Sequence, residues 1–108
     1  MKLDVSKQIN ELVNKIVNNI QTEEIILFGS YAYGNPDKYS DIDLCILTND
    51  RSKRKIELIR KVRKAIAPIA SFPVDILIYG KEEFTNRSEL NTTFEYKIKH
   101  GGISIYGQ

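Results

Sequence analysis

The sequence has few of the residues that build disulfide frameworks or histidine-based sites. Of its 108 residues, one is a cysteine and one is a histidine. A single cysteine, Cys45, excludes an internal disulfide, and its apolar neighbours in the sequence predict a buried free thiol in a reducing compartment. The single histidine, His100, precedes two glycines and is interpreted as a residue at the C-terminal end of a helix rather than as a catalytic group.

Long apolar runs are missing as well. No apolar stretch is long enough to span a bilayer, and the first residues lack the hydrophobic segment of a signal peptide. We therefore expect a cytoplasmic protein with no membrane contact. The length of 108 residues, with 42% of them hydrophobic and 28% charged, predicts one globular domain over residues 1–108.

The excess of positive charge is small. A formal net charge of +2 does not by itself indicate a nucleic-acid partner. Residues 51–64 are locally basic, with Glu57 as the one acid among them. Because no aromatic residues are interleaved with these bases, the pattern favours a solvated helix face, and direct nucleic-acid binding is not expected.

Apolar periodicity predicts helices alternating with strands, and hence the α/β class with a mixed sheet of about four strands flanked by helices. The helix that begins the chain has a candidate cap in Asp4 or Ser6. Aromatic residues after the third strand, Phe94, Tyr96 and Tyr106, are interpreted as packing residues. The predicted elements are a helix from Asp4 to Ile20, strand Ile25 to Phe28, loop Ser30 to Ser40, strand Ile42 to Leu47, a helix from about Ser52 to Ala67, strand Val74 to Tyr79, helix Glu89 to His100 and an edge strand from Ile103 to Tyr106.

Three carboxylates interrupt these apolar strands. Asp41 and Asp43 are two residues apart, so a strand directs both side chains to one face, and Asp75 lies in the third strand. Like charges this close repel each other unless a cation compensates them, and hard oxygen ligands suit Mg²⁺ or Mn²⁺. The alternative is that these are surface acids that face solvent or pair with helix lysines, which is the common case for any one of them.

A glycine-serine pair ends the first strand. Gly29 allows the backbone to approach an anion closely, and the following turn can direct N–H groups and the Ser30 hydroxyl at phosphate oxygens. Residues 31–40 separate this pair from the first two acids, so the chain can fold back and set a phosphate site beside a metal site. Neither a Walker loop nor a G-x-G-x-x-G fingerprint is present.

Together these residues resemble a known signature. The run Gly29-Ser30-x10-Asp41-x-Asp43, followed later by Asp75 between two apolar residues, is similar to that of the DNA polymerase β-like nucleotidyltransferases. More closely, it resembles the minimal nucleotidyltransferase (MNT) proteins, which consist of little beyond the catalytic core. The resemblance implies a polymerase β-like nucleotidyltransferase fold and covers almost the whole chain.

The resemblance also implies a role for each residue. Gly29 and Ser30 would hold the triphosphate of ATP. Ser40 is a further candidate nucleotide-binding residue. Asp41 and Asp43 would bind two Mg²⁺ ions. Asp75 would share the metal nearer the attacking hydroxyl and help to deprotonate it. All three acids are therefore candidate catalytic residues and candidate metal ligands.

Minimal family members are often the antitoxin of a pair whose toxin is a HEPN-domain ribonuclease, and they transfer AMP from ATP to a tyrosine hydroxyl of that toxin. The resemblance thus implies a HEPN-domain partner in a hetero-oligomer. Two alternatives stay open: an acceptor that is a small molecule or an RNA 3′ end, and a non-catalytic module that inhibits by binding. One departure bears on activity, because Tyr31 and Tyr33 stand where similar proteins often carry an arginine.

Overall fold

The computed structural model of the chain describes residues 5–34, 36–37 and 40–107. The elements are α1 (Val5–Asn19), β1 (Glu24–Phe28), α2 (Ser30–Tyr33), β2 (Ile42–Thr48), α3 (Lys55–Ile66), β3 (Val74–Gly80), α4 (Lys81–Arg87), α5 (Phe94–Gly101) and β4 (Ile103–Gly107). The four strands form one sheet in the order β3-β2-β1-β4, in which β2 and β3 are parallel and the other neighbours antiparallel. The expected α/β fold with a mixed four-stranded sheet is confirmed.

The two central strands are buried on both faces because apolar residues occupy nearly every position in them. Helices α1 and α3 cover one face of the sheet with the larger core cluster, in which Leu12, Ile16 and Val62 are fully buried. Helices α4 and α5 lie on the other face. The smaller cluster there consists of Ile26, Phe28, Cys45, Leu47, Phe84 and Ile98.

The predicted helix from Glu89 to His100 is wrong in its first half. A separate short helix, α4, follows β3 directly, and α5 begins only at Phe94. Thr93 sets that boundary, because its hydroxyl accepts the N–H of Tyr96 (3.1 Å) and donates to the carbonyl of Leu90 (2.9 Å). The short helix α4 buries only Phe84, so apolar periodicity carries too little signal to predict it.

Smaller differences lie at other helix ends. α3 begins at Lys55 rather than near Ser52, because the backbone N–H of Ser52 donates to the Asp50 carboxylate (2.8 Å) and forms a turn before the helix. The candidate cap Ser6 lies inside α1, and Asp4 lies outside the described residues.

Cys45 is fully buried in β2, as predicted. Burial raises the pKa of its thiol to about 12, with smaller contributions from Glu24 and Glu95, so it is a packing residue and not a nucleophile. Among the described helices, none has the length and apolar character needed to cross a bilayer.

Candidate active site

The structure brings the three carboxylates together at one end of β2 and β3. Asp43 and Asp75 are direct partners in the parallel pair, so their side chains leave the same face of the sheet side by side. Asp41 immediately precedes β2, and the three residues each offer a carboxylate oxygen within 4.8 Å of the others. Asp41 and Asp43 are half-buried, whereas Asp75 is exposed because β3 is an edge strand.

The cluster carries negative charge that the described residues leave uncompensated. None of their ion pairs includes one of these three carboxylates. Burial, with smaller contributions from the neighbouring charges of Asp75 and Asp41, raises the pKa of Asp43 to about 6. Three carboxylates that converge without a cationic partner in the described part of the chain are a donor set that fits a divalent cation such as Mg²⁺. The residues present therefore fit the metal that the resemblance implies.

Gly29 lies directly against this cluster. Its φ of +76° and ψ of −157° belong to a region that only glycine occupies readily. A Cβ atom built on Gly29 would overlap Oδ2 of Asp43, so the position also has no room for a side chain. Since Phe28 is the register partner of Asp43, the turn from β1 into α2 starts beside the carboxylates.

The other residues of this turn have distinct surroundings. Ser30 is half-buried at the first position of α2, next to Gly29. Ser40 accepts the backbone N–H of Asp37 through its hydroxyl (2.8 Å), which closes the loop just before Asp41. Tyr31 packs edge-on against Phe72 at 6.3 Å between ring centroids.

Tyr33, by contrast, is 51% exposed. Of the two tyrosines at the expected arginine positions, therefore, only Tyr33 presents most of its side chain to solvent.

An apolar cleft adjoins the carboxylates and was not predicted from the sequence. It is lined by Phe28, Asp43, Asp75, Ile76, Leu77 and Phe94. Phe94 contacts Phe28 edge-on at 5.8 Å but is 52% exposed, so the packing role predicted for it holds only in part. Leu77 could have been found, because it lies two residues after Asp75 and so on the same face of β3. The position of Phe94 beside the carboxylates could not be predicted, because the start of α5 was not predicted.

The fold and the acidic centre together define a nucleotidyltransferase. The family model described as "Nucleotidyltransferase domain" matches residues 6–100, and the chain belongs to this family. The enzyme class expected from the resemblance is thereby confirmed.

Two proteins of Methanocaldococcus jannaschii are similar over different lengths. One, named "Putative protein adenylyltransferase MJ0141", is 28% identical over 103 residues, which are 95% of this chain and 97% of that protein. A second of the same description, MJ1305, is 30% identical over 66 residues, which are 56% of this chain and 45% of that protein.

Solved structures with the same fold come from toxin–antitoxin complexes. A chain of a toxin–antitoxin crystal structure with AMP-PNP aligns with a TM-score of 0.59 at 24% identity, covering 97% of this chain and 75% of that one. A chain of the complex between tri-AMPylated Shewanella oneidensis HEPN toxin and MNT antitoxin aligns with a TM-score of 0.53 at 22% identity, covering 95% and 72%. At these identities the likeness establishes the fold.

Proposed function

We propose that this chain is a Mg²⁺-dependent protein adenylyltransferase that transfers AMP from ATP to a tyrosine hydroxyl of a HEPN-domain partner, and so acts as the antitoxin of a pair. The observation that carries the proposal is the convergence of Asp41, Asp43 and Asp75 beside the glycine turn, without a cationic partner among the described residues. Similarity to a protein named as an adenylyltransferase over nearly its whole length supports it. A hetero-oligomer with the partner and a cytoplasmic location belong to the same proposal.

Each site residue has a part in this reaction. Asp41, Asp43 and Asp75 would hold two Mg²⁺ ions, which would neutralise negative charge on the phosphates of ATP. Gly29 leaves its side of the site free of side-chain atoms, so the triphosphate can approach the backbone of the turn. Ser30 and Ser40 donate their hydroxyls to phosphate oxygens.

Asp75 acts on the acceptor. Its carboxylate accepts the proton of the tyrosine hydroxyl as the phenolic oxygen forms a bond to the α-phosphorus of ATP. The bond from that phosphorus to the bridging oxygen of the β-phosphate breaks, and pyrophosphate leaves with the electron pair. The exposure of Asp75 on an edge strand supports this role, because an acceptor on another protein can reach it.

The proposal is tested with α-labelled ATP, Mg²⁺ and, as candidate partner, a HEPN-domain protein encoded by a gene adjacent to that of this chain. We expect label on a tyrosine of the partner, found by mass spectrometry of its peptides, and at least a hundredfold lower rate for Asp41→Asn. A partner that stays unlabelled, or label that persists at the same rate in Asp41→Asn, contradicts the proposal. Inhibition of the partner that survives in an Asp41→Asn, Asp43→Asn double variant would instead indicate inhibition by binding alone.

A further inference from the structure

The cleft beside the carboxylates is lined by apolar residues to which the proposed reaction assigns no role. Phe28, Asp43 and Asp75 form one row across three strands, since each is the register partner of the next. Leu77 lies one row further along the same face, roughly 6.6 Å from Asp75 at the rise of a strand. The cleft therefore has two carboxylates at one end and an apolar floor over about the length of a phenol ring.

Phe94 forms the wall of this cleft and is held in place. Its ring meets Phe28 edge-on at 5.8 Å, while 52% of the side chain faces solvent. The next residue, Glu95, accepts a hydrogen bond from the Tyr79 hydroxyl at 2.7 Å, and Thr93 caps the helix. The first turn of α5 is thus fixed to β3, so the ring of Phe94 stays beside the carboxylates.

We propose that this cleft, lined by Phe28, Leu77 and Phe94, is the acceptor subsite that seats the aromatic ring of the tyrosine receiving AMP. The inference rests on the proposed function and adds to it the residues that select an aromatic hydroxyl over an aliphatic one. Phe94 is the specificity-determining residue, because it lines the cleft and remains 52% exposed, which leaves it available for contact with an incoming ring.

Connectivity favours the acceptor ring over the adenine ring as the occupant. A phenol ring is bonded directly to the oxygen that attacks, so it must lie immediately beside the group that takes the proton. The adenine ring, by contrast, is separated from the α-phosphorus by a ribose. The cleft is lined by Asp43 and Asp75 themselves, which is the position for a ring attached to the reacting hydroxyl.

The cleft is tested first by binding. The probes are blocked five-residue peptides with a central tyrosine, phenylalanine or serine, added with Mg²⁺ and a non-hydrolysable ATP analogue, while the ring-proton resonances of Phe28 and Phe94 are followed by NMR. We expect the tyrosine peptide to shift both rings, the phenylalanine peptide to shift them more weakly, and the serine peptide to leave them unchanged. If the tyrosine peptide does not shift these resonances at millimolar concentration, the subsite is excluded.

Variants separate the acceptor subsite from the nucleotide site. For Phe94→Ala we expect at least tenfold weaker binding of the tyrosine peptide, with affinity for the Mg²⁺-bound ATP analogue within twofold of the original. Phe94→Tyr keeps an aromatic wall and should restore peptide binding, which also guards against a folding defect in the alanine variant. Leu90→Ala is the matched control, because Leu90 is 64% exposed nearby and does not line the cleft. Loss of nucleotide affinity in place of peptide affinity would assign the cleft to the base and overturn the proposal.

Transfer to the HEPN-domain partner distinguishes this inference from the proposed function. At limiting partner concentration, we expect the labelling rate of Phe94→Ala to fall at least tenfold and that of Leu90→Ala to stay unchanged. Equal labelling by Phe94→Ala refutes the subsite and leaves the proposed function standing. A protein that binds the tyrosine peptide in the cleft but labels no hydroxyl would refute the proposed function, and the cleft would then be a tyrosine-binding site without a role in AMP transfer.

Discussion

Gly29 and Asp43 constrain each other at the scale of single residues. Gly29 combines a positive φ with a position where a Cβ atom would overlap the Asp43 carboxylate. Gly34 also has a positive φ, of +82°, but no heavy atom lies within 4 Å of a Cβ built there. Substitution of Gly34 therefore measures the energetic cost of the backbone conformation alone. Substitution of Gly29 adds the cost of steric overlap with Asp43.

Gly34→Ala should lower the free energy of unfolding by about 1 kcal/mol, the cost of a left-handed alanine. For Gly29→Ala we expect about 2–4 kcal/mol, because overlap with Asp43 adds to the conformational strain. Denaturant unfolding of both variants without metal measures the difference. Stabilisation by Mg²⁺ should be lost in Gly29→Ala and kept in Gly34→Ala. Equal costs in the two variants would contradict the close approach of Gly29 to Asp43.

The raised pKa of Asp43, a proposed metal ligand, predicts that Mg²⁺ binding depends on pH. The pKa of this carboxyl in the metal-free protein is raised to about 6 by burial and by Asp75 and Asp41, and Mg²⁺ requires the ionised carboxylate. We expect Mg²⁺ affinity, measured by calorimetry, to change little between pH 8 and 7. It should fall by about tenfold for each pH unit below 6, because one proton then competes with the ion. An affinity that stays constant down to pH 5 would show that Asp43 is not a ligand.

The same raised pKa has a consequence for stability. Between about pH 4 and pH 6 the folded protein holds a proton that the unfolded chain has released, so the contribution of Asp43 is fully present below pH 4 and is lost as pH rises through 6. In the metal-free protein at pH 7.5, Asp43→Asn should therefore raise the free energy of unfolding, by about 1 kcal/mol once solvent screening is allowed for. Unfolding by urea at pH 4 and pH 7.5 tests this, since the gain should vanish at pH 4.

At the scale of elements, α5 depends on a polar contact with β3. The buried carboxylate of Glu95 accepts the Tyr79 hydroxyl at 2.7 Å, and burial together with this bond raises the pKa of Tyr79, so the hydroxyl stays a donor. Tyr79→Phe leaves Glu95 without that donor and should cost about 1–3 kcal/mol. Tyr96→Phe is the matched control, because no hydrogen bond links the Tyr96 hydroxyl to the described residues. Hydrogen exchange of α5 amides should rise in the first variant only.

The elements that the sequence predicted well are those with repeated apolar spacing. β1, β2 and β3 follow from runs of buried residues, and the convergence of Asp41, Asp43 and Asp75 follows from strand periodicity once the resemblance supplies the topology. The region from Lys81 to Phe94 was predicted poorly. Its boundaries depend on side-chain hydrogen bonds of Thr93 and on a single buried aromatic residue, Phe84, and neither produces a periodic pattern. The apolar cleft was missed for the same reason, since Phe94 comes from that region.

On the scale of the whole molecule, the sheet separates most of the stabilising core from the face that carries the candidate active site. The larger cluster lies under α1 and α3, whereas Asp43 and Asp75 share the opposite face with Phe28 and Phe94. Removing apolar volume from the first face costs stability, because buried side chains there leave cavities. Neutralising the acids on the second face removes repulsion instead. The residues that stabilise the fold and the proposed metal ligands are therefore different sets.

This separation predicts that a substitution in the core changes stability without changing Mg²⁺ affinity, and that substitution of Asp75 in the acidic cluster changes activity with little change in stability. Ile16→Ala, at a fully buried position of α1, should lower the free energy of unfolding by about 2–5 kcal/mol and leave Mg²⁺ affinity within twofold at a temperature where it is folded. Asp75→Asn, on the exposed edge strand, should change unfolding of the metal-free protein by less than about 0.5 kcal/mol while lowering transfer activity at least a hundredfold. Urea unfolding, calorimetry with Mg²⁺ and the labelling assay measure the three quantities. Strong destabilisation of the metal-free protein by Asp75→Asn would show that this carboxylate supports the fold. That result would contradict the separation of the two sets of residues.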